Sequence, residues 1–139
     1  MKLGADANVL LLAVIGGRAR LVLSNPAVEE VLTTATVFAE VEEYATILGR
    51  KKKLAPETLL LAVASLPVSI VAREVCTQSI PTAHKRIGKR DPDDVELLAL
   101  ALHFEISLWS NDNDFEGCGV EHFTTAELLK KLGVSEGRD

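Results

Sequence analysis

Four separated segments of the sequence carry carboxylates that could act together on one ligand. The acids are Asp6; Glu40; Asp91, Asp93 and Asp94; and Asp112 and Asp114. Ionised carboxylates at short range raise one another's pKa, so a cluster of them calls for a compensating charge. Mg²⁺ and Mn²⁺ prefer oxygen ligands and are commonly held by one or two carboxylates together with substrate phosphates. One or two such ions would activate water and stabilise the charge that develops on a phosphodiester under attack.

These acids can meet only if the chain brings distant segments to one edge of the fold. Short apolar runs alternate with longer periodic ones, which is typical of an α/β fold with a mainly parallel sheet. We predict a sheet of four to five strands, at residues 2–6, 28–33, 68–71, 106–110 and 120–123. Functional residues in such sheets lie at the carboxyl ends of the strands. Asp6 closes the first strand and Asp112 follows the fourth, so we expect both at the same edge.

Helices are predicted between the strands from apolar periodicity and capping residues. Their expected ranges are 7–15, 18–24 (for which a strand is the alternative), 36–53 capped by Thr36, 58–65 opened by Pro56, 73–87 interrupted at Pro81, 92–104, and 126–132 capped by Thr124 or Thr125. Asp91 and Pro92 together predict a helix start, with Asp91 as the N-cap and Pro92 in the first turn. The helix over 92–104 is apolar on nearly every face, which predicts that it is buried.

Length and composition fit one globular domain. Of the 139 residues, 47% are hydrophobic and 25% charged, a balance that excludes a disordered or collagen-like chain. We expect a single domain over residues 1–133 and a flexible tail over 134–139. The 15 Lys and Arg against 20 Asp and Glu give a net charge of −5. This charge argues against a protein that coats nucleic acid by bulk electrostatics, but not against one that handles it through bound metal ions.

The N-terminal segment does not resemble a signal peptide, because Gly4, Asp6 and Asn8 interrupt any apolar run there. The longest uncharged run, residues 58–72, is shorter than the ~18 residues that a membrane span needs. Cys76 and Cys118 give neither a metal-ligand spacing nor a disulfide framework. We therefore expect a cytoplasmic protein with no membrane partner.

Four segments place the acids in a defined order: residues 6–11 (DANVLL), 37–43 (VFAEVEE), 90–102 (RDPDDVELLALAL) and 109–115 (WSNDNDF). In order, spacing and strand–helix context the chain resembles the PIN domain family, and the last two segments are the most specific. The resemblance covers nearly the whole chain. It implies a three-layer α/β/α sandwich and Mg²⁺- or Mn²⁺-dependent ribonuclease activity, as in VapC-type toxins and related archaeal and bacterial proteins.

Carried over by position, the resemblance implies four catalytic, metal-binding acids: Asp6, Glu40, Asp94 and Asp112. Asp114 is implied as an auxiliary metal ligand. Asp94 is preferred to Asp91 and Asp93 because Ala101 follows it by seven residues, as small residues follow the family's third acid. Asp91 is interpreted as a helix cap rather than a ligand.

RNA is the substrate that the resemblance implies, and several residues near the acids could hold it. We predict substrate contacts from Asn8, Lys85, Arg86 and Arg90, since the basic residues precede the Asp91 turn and could offset the acidic edge. The family also implies a possible role as the toxin of a toxin–antitoxin pair, with an antitoxin protein as partner, and a homodimer.

Two other functions are compatible with the same residues. A non-catalytic PIN module could bind RNA or a protein without cutting it, and Ala7, where many members have Thr or Ser, keeps this alternative open. The Asn111–Asp114 string also resembles the last acidic loop of haloacid-dehalogenase phosphatases. That chemistry needs a second Asp two residues after the nucleophile, where this chain has Asn8.

Overall fold

A five-stranded, all-parallel sheet forms the centre of the molecule, as a computed structural model describing residues 1–134 shows. The strands are β1 Lys2–Ala5, β2 Glu30–Thr34, β3 Ser69–Val71, β4 Ser107–Trp109 and β5 His122–Phe123. Their order across the sheet is β3-β2-β1-β4-β5. All five predicted strands are therefore present. The predicted tail lies outside the described residues except for Val134.

Helices connect the strands. They are α1 Ala7–Val14, α2 Ala19–Leu23, α3 Ala35–Lys51, α4 Pro56–Ala64, α5 Ile80–Ile87, α6 Val95–Phe104 and α7 Thr125–Lys131. Two 3₁₀ segments, Arg73–Ser79 and Pro92–Asp94, precede α5 and α6. The helical interpretation of the segment around α2 is confirmed, and the predicted interruption near Pro81 is the junction between the first 3₁₀ segment and α5. None of the helices within residues 1–134 has an apolar stretch long enough to cross a membrane.

The strand side chains alternate between two separate apolar cores, because successive residues of a strand point to opposite faces. Leu3, Val31 and Trp109 pack into the core that contains buried residues of α1–α4 and α7. Leu32 and Leu108, each adjacent in sequence to one of these, pack into the core formed with α5 and α6. Helices thus cover both faces of the sheet, and the predicted three-layer α/β/α sandwich is confirmed.

The α6 helix is the most deeply buried of these elements. Its residues from Leu97 to Ala101 are all at most 1% exposed, as its uninterrupted apolar sequence predicts. Gly4 on β1 allows this close approach, since a Cβ there would lie 3.0 Å from Leu108 Cδ2 and 3.2 Å from Leu100 Cδ2. β4 and the middle of α6 therefore pack directly against β1 at this glycine.

Two boundaries differ from the sequence prediction. The second strand begins at Glu30 rather than at residue 28, because the Val28 N–H donates to the Asn25 carbonyl in a turn that contains Pro26. The third helix begins at Ala35, and its N-cap is Thr34 rather than Thr36: the Thr34 hydroxyl accepts from the Val37 N–H at 2.9 Å. Thr36 lies inside the first turn, and its hydroxyl donates to the Glu96 carboxylate at 2.8 Å.

The Thr34 cap gives a test of this boundary. Thr34→Ala should lower the free energy of unfolding by about 1 kcal/mol, because a buried backbone donor of α3 loses its acceptor. Thr34→Ser keeps the hydroxyl and should retain most of the stability. Urea denaturation of the two variants measures the difference. Thr36→Ala is the control, since its hydroxyl bond is exposed; an equal loss from both alanine variants would contradict the assigned cap.

Candidate active site

The centre of the acidic edge is the point where the strand order reverses. The chain runs outward from β1 to β2 and β3, then returns to place β4 on the other side of β1. Loops after neighbouring parallel strands diverge at such a point and leave a crevice at the carboxyl edge. Asp6 follows β1 directly, and the segment with Asp112 and Asp114 follows β4. The topology therefore brings two of the predicted acidic segments to one crevice.

Asp6 is held rigidly by its neighbours. Its backbone N–H donates to the Trp109 carbonyl at 3.3 Å, which ties it to the end of β4. Its Oδ1 accepts from the Val9 N–H at 3.0 Å, so Asp6 also caps α1. The residue is only 8% exposed. Asp6 can therefore cap α1 with one carboxylate oxygen and offer the other to a ligand.

Ser110, a residue that sequence reasoning did not select, organises the loop after β4. It is fully buried, and its hydroxyl donates to Asp112 Oδ1 at 3.2 Å. The same Asp112 oxygen accepts from the Asp114 N–H at 3.2 Å. Ser110 also partly opposes the rise that burial causes in the pKa of Asp6. Its position directly after a strand and between two acidic segments was the signal available in the sequence.

A cleft of about 340 Å³ lies between β1, α1, α3, the 3₁₀ turn before α6 and the loop after β4. The residues that line it are Asp6, Ala7, Asn8, Leu11, Val37, Glu40, Tyr44, Asp93, Asp94 and Asp112. All four predicted catalytic acids and Asn8 are thus brought together. Among the described residues lining this cleft there is no Lys or Arg, so its charge is strongly negative.

Asp114 belongs to a second group of acids, which shares Asp94 with the cleft and includes Asp91. Carboxylate oxygens of Asp91, Asp94 and Asp114 all lie within 4.8 Å of one another, and all three residues are half-buried. Asp91 takes the predicted N-cap position, here of the 3₁₀ segment Pro92–Asp94, but its side chain makes no capping hydrogen bond. The predicted position is confirmed, and the predicted capping role of the carboxylate is wrong. Asp94 is shared by the cleft and by this group, which we call the aspartate triad.

Burial and mutual repulsion raise the pKa of these acids. Desolvation, followed by the charges of Asp91 and Asp114, raises the pKa of Asp94 to about 7. Burial also raises the pKa of Asp6, against the opposing hydrogen bonds from Ser110 and Val9. For Glu40, burial and then the charge of Asp93 raise the pKa. For Asp114 the causes are burial and then the Asp112 and Asp91 carboxylates. Burial is the leading cause for all four acids, and neighbouring carboxylates add to it.

The predicted substrate-binding cations lie outside the cleft. The Arg86 Nη1 donates to the Cys118 carbonyl at 2.9 Å, and the Arg90 Nη2 donates to the Asp114 carbonyl at 2.6 Å. Both guanidinium groups therefore contact the backbone of the loop after β4. Lys85 is exposed on α5. A role for these residues in binding substrate stays a prediction.

Comparison with known proteins agrees with this architecture. The sequence matches the PIN domain family over residues 5–133. The chain belongs to the PIN domain family. Among curated proteins, no sequence matches this one.

Solved structures with this PIN fold include chains from toxin–antitoxin complexes. One, in VapBC2 from Rickettsia felis bound to a DNA fragment from their promoter, has a TM-score of 0.69 at 14% identity and covers 89% of this chain and 98% of that one. FitAcB from Neisseria gonorrhoeae contains a chain with a TM-score of 0.63 at 21% identity, and the match covers 91% of this chain and 99% of that one. VapC20 from Mycobacterium tuberculosis, a Sarcin-Ricin loop cleaving toxin, has a TM-score of 0.57 at 20% identity, and the match covers 85% of this chain and 95% of that one. At these identities the likeness shows the fold.

The pKa of Asp94 predicts how stability depends on pH. Because the folded chain holds a proton at Asp94 that the unfolded chain releases, raising the pH from about 4 to about 7 should lower the free energy of unfolding. Asp94→Asn removes this contribution, so the variant should be more stable than the parent at pH 7 and lose less stability across that window. Urea denaturation at several pH values in EDTA measures it.

Glu116→Gln is the matched control, since it removes an exposed carboxylate from the loop that carries Asp114. Its stability should follow the parent's pH dependence. An Asp94→Asn variant that is less stable than the parent at pH 7 would show that the Asp94 carboxylate is not held at an electrostatic cost.

Proposed function

We propose that this PIN domain is a Mg²⁺- or Mn²⁺-dependent endoribonuclease that acts as the toxin of a toxin–antitoxin pair. The observation that carries the proposal is the convergence of Asp6, Glu40, Asp94 and Asp112 on one cleft, next to the aspartate triad. Family membership adds support, because PIN domains are commonly metal-dependent nucleases.

The donor set fits a hard divalent cation. All the candidate ligands are carboxylates, which suit Mg²⁺ and Mn²⁺ and do not favour softer metals. The raised pKa of Asp94 reflects its burial first and then the negative charge of the neighbouring carboxylates, both of which a bound cation would offset. We assign Asp6, Asp94 and Asp112 as principal ligands, with Asp91 and Asp114 available beside them. A bound cation would supply Lewis acidity toward the phosphate and its leaving oxygen.

The protein's own groups account for positioning and proton transfer. Glu40 extends from α3 into the cleft, and its pKa is raised by burial and by Asp93. A carboxylate with a raised pKa is a better base at neutral pH than an ordinary glutamate. In the proposed reaction Glu40 accepts the proton of the water that attacks phosphorus, and the leaving oxygen departs from the opposite side. Asn8 lines the same cleft and is placed to hydrogen-bond the substrate.

An antitoxin partner is proposed from the complexes in which similar folds occur. Chains of similar structure occur in the Rickettsia felis and Salmonella typhimurium VapBC complexes, both bound to DNA. VapC20 of Mycobacterium tuberculosis is itself a toxin that cleaves the Sarcin-Ricin loop. We extend an antitoxin partner and a cleaving activity to this chain, with RNA as its substrate. A homodimer stays a prediction from the family.

Cleavage of RNA tests the proposed activity directly. The chain should cut a labelled single-stranded RNA when Mn²⁺ or Mg²⁺ is present and leave it intact in EDTA. Asp6→Asn and Asp94→Asn should each reduce cleavage by about 100-fold or more, as losing a group that stabilises charge in the transition state does. Glu116→Gln should cleave at the parental rate. Parental cleavage by Asp94→Asn would contradict the proposed role of that residue.

Stabilisation by the ion separates the nuclease from a non-catalytic module. Because a ligand that binds only the folded chain raises its stability, millimolar Mn²⁺ should raise the Tm, and Asp94→Asn should abolish most of the shift. A parent chain whose Tm does not respond to Mn²⁺ and which cuts no RNA would favour the non-catalytic module. Hydrolysis of a phosphomonoester in place of RNA would favour the phosphatase.

A further inference from the structure

Arg90 connects Asp91 and Asp114, two members of the aspartate triad. Its main chain is bonded to Asp91, and its side chain contacts the main chain of Asp114. Arg90 immediately precedes Asp91, whose backbone N–H donates to the carbonyl of the buried Ile87 at 2.8 Å. The Arg90 guanidinium extends in the other direction, and its Nη2 donates to the Asp114 main-chain carbonyl at 2.6 Å. The main chain of Asp91 is thereby fixed to the end of α5, and that of Asp114 is fixed to Arg90.

The loop that carries Asp112 and Asp114, residues 110–119, is secured at its far end as well. The Arg90 Nη2 also donates to the Cys118 Sγ at 3.4 Å, and Cys118 is buried. One turn earlier on α5, the Arg86 Nη1 donates to the Cys118 carbonyl at 2.9 Å. Gly119 makes this approach possible, since a Cβ there would lie 2.6 Å from the Arg86 Nη1. Arg86 on α5 and Arg90 just beyond the end of α5 thus hold a loop that is distant in sequence.

We infer that Arg90 is a positioning residue for the cation site: by tying the loop of Asp114 to the segment of Asp91, it sets the separation of carboxylates that would otherwise move apart. This inference rests on the proposed function, since it assigns a role toward the cation of that same site. It differs from the sequence prediction that Arg90 grips RNA, because the guanidinium contacts the protein's own main chain.

The sign of the effect on cation affinity distinguishes positioning from simple electrostatics. A cationic side chain near the site repels a metal ion, so its removal should tighten binding if charge alone matters. If Arg90 positions the carboxylates, its removal should weaken binding instead. Groups that orient metal ligands from behind typically contribute about 10- to 100-fold to metal affinity.

The experiment measures the Mn²⁺ dissociation constant of the full chain at about pH 7.5 from the electron paramagnetic resonance signal of free Mn²⁺. Arg90→Met should raise this constant on the order of 10-fold or more. Arg90→Lys keeps the charge, but its shorter side chain ends before the position of the single nitrogen, Nη2, that donates to both Asp114 and Cys118, so it should also weaken binding. Arg50→Met, at the opposite end of α3 from Glu40, removes the same charge and should bind Mn²⁺ like the parent.

A second measurement excludes a merely structural role. In the RNA cleavage assay the Mn²⁺ concentration for half-maximal rate should rise for Arg90→Lys, while the rate at saturating Mn²⁺ returns near the parental value. The assay is run well below the Tm of each variant, where every chain is folded, because Mn²⁺ would otherwise rescue a partly unfolded chain. Under that condition a variant that was only less stable would keep the parental half-maximum. If Arg90→Met does not fold, Arg90→Lys alone gives both measurements.

The failures of this inference and of the proposed function are distinguishable. Parental or tighter Mn²⁺ binding by the Arg90 variants, in a chain that itself binds Mn²⁺ and cuts RNA, overturns the positioning role alone. A parent chain that takes up no Mn²⁺ overturns the proposed function, and the positioning role with it.

Discussion

Two carboxylates with oxygens within 4.8 Å, as in the aspartate triad, repel each other by about 1 kcal/mol in water and about 3 kcal/mol at an effective dielectric constant near 20. A typical hydrogen bond contributes only about 1 kcal/mol net, so several contacts together must oppose this repulsion. The opposing forces come from the sheet and from main-chain contacts. Asp6 is tied to β4 through the Trp109 carbonyl, and the loop of Asp114 is tied to the end of α5 through Arg90.

The fold concentrates these charges without burying them fully. A parallel sheet covered by helices on both faces has apolar strands, and its polar residues are displaced to the loops at the strand ends. Asp6 and Ser110 are the residues at which β1 and β4 leave the apolar layer, and both are buried. Asp112 is exposed, and Asp94 and Asp114 are half-buried. Because several of these acids are buried or half-buried, desolvation is the leading cause of their raised pKa values. Because others are exposed, a solvated cation can still reach the group.

Local sequence patterns predicted the strands and helices because local interactions largely determine where these elements form. Apolar runs and turn residues located all five strands, and the placement of Asp6 and Asp112 followed from the strand ends. The errors occurred where a longer-range contact decided between similar local options. Thr34 and Thr36 are both competent caps, and only the extent of β2 selects the first. Asp91 takes the N-cap position that its sequence predicts, yet its carboxylate makes no capping hydrogen bond and lies instead with Asp94 and Asp114. The contacts of Arg86 and Arg90 span 32 and 24 residues, and no periodicity encodes them.

The electrostatics of the cleft bear on how a polyanion could bind at all. The chain has a net charge of −5, the described cleft lining holds no Lys or Arg, and two arginines of the nearby helix end direct guanidinium donors at the main chain. Nucleic-acid binding by lysine and arginine contacts alone weakens steeply with added salt, through the release of counterions. Here the phosphate that enters the cleft would meet carboxylates first. For the proposed nuclease, cation binding would therefore be a condition for substrate binding as well as for bond cleavage, because the ion supplies the positive charge that the side chains do not.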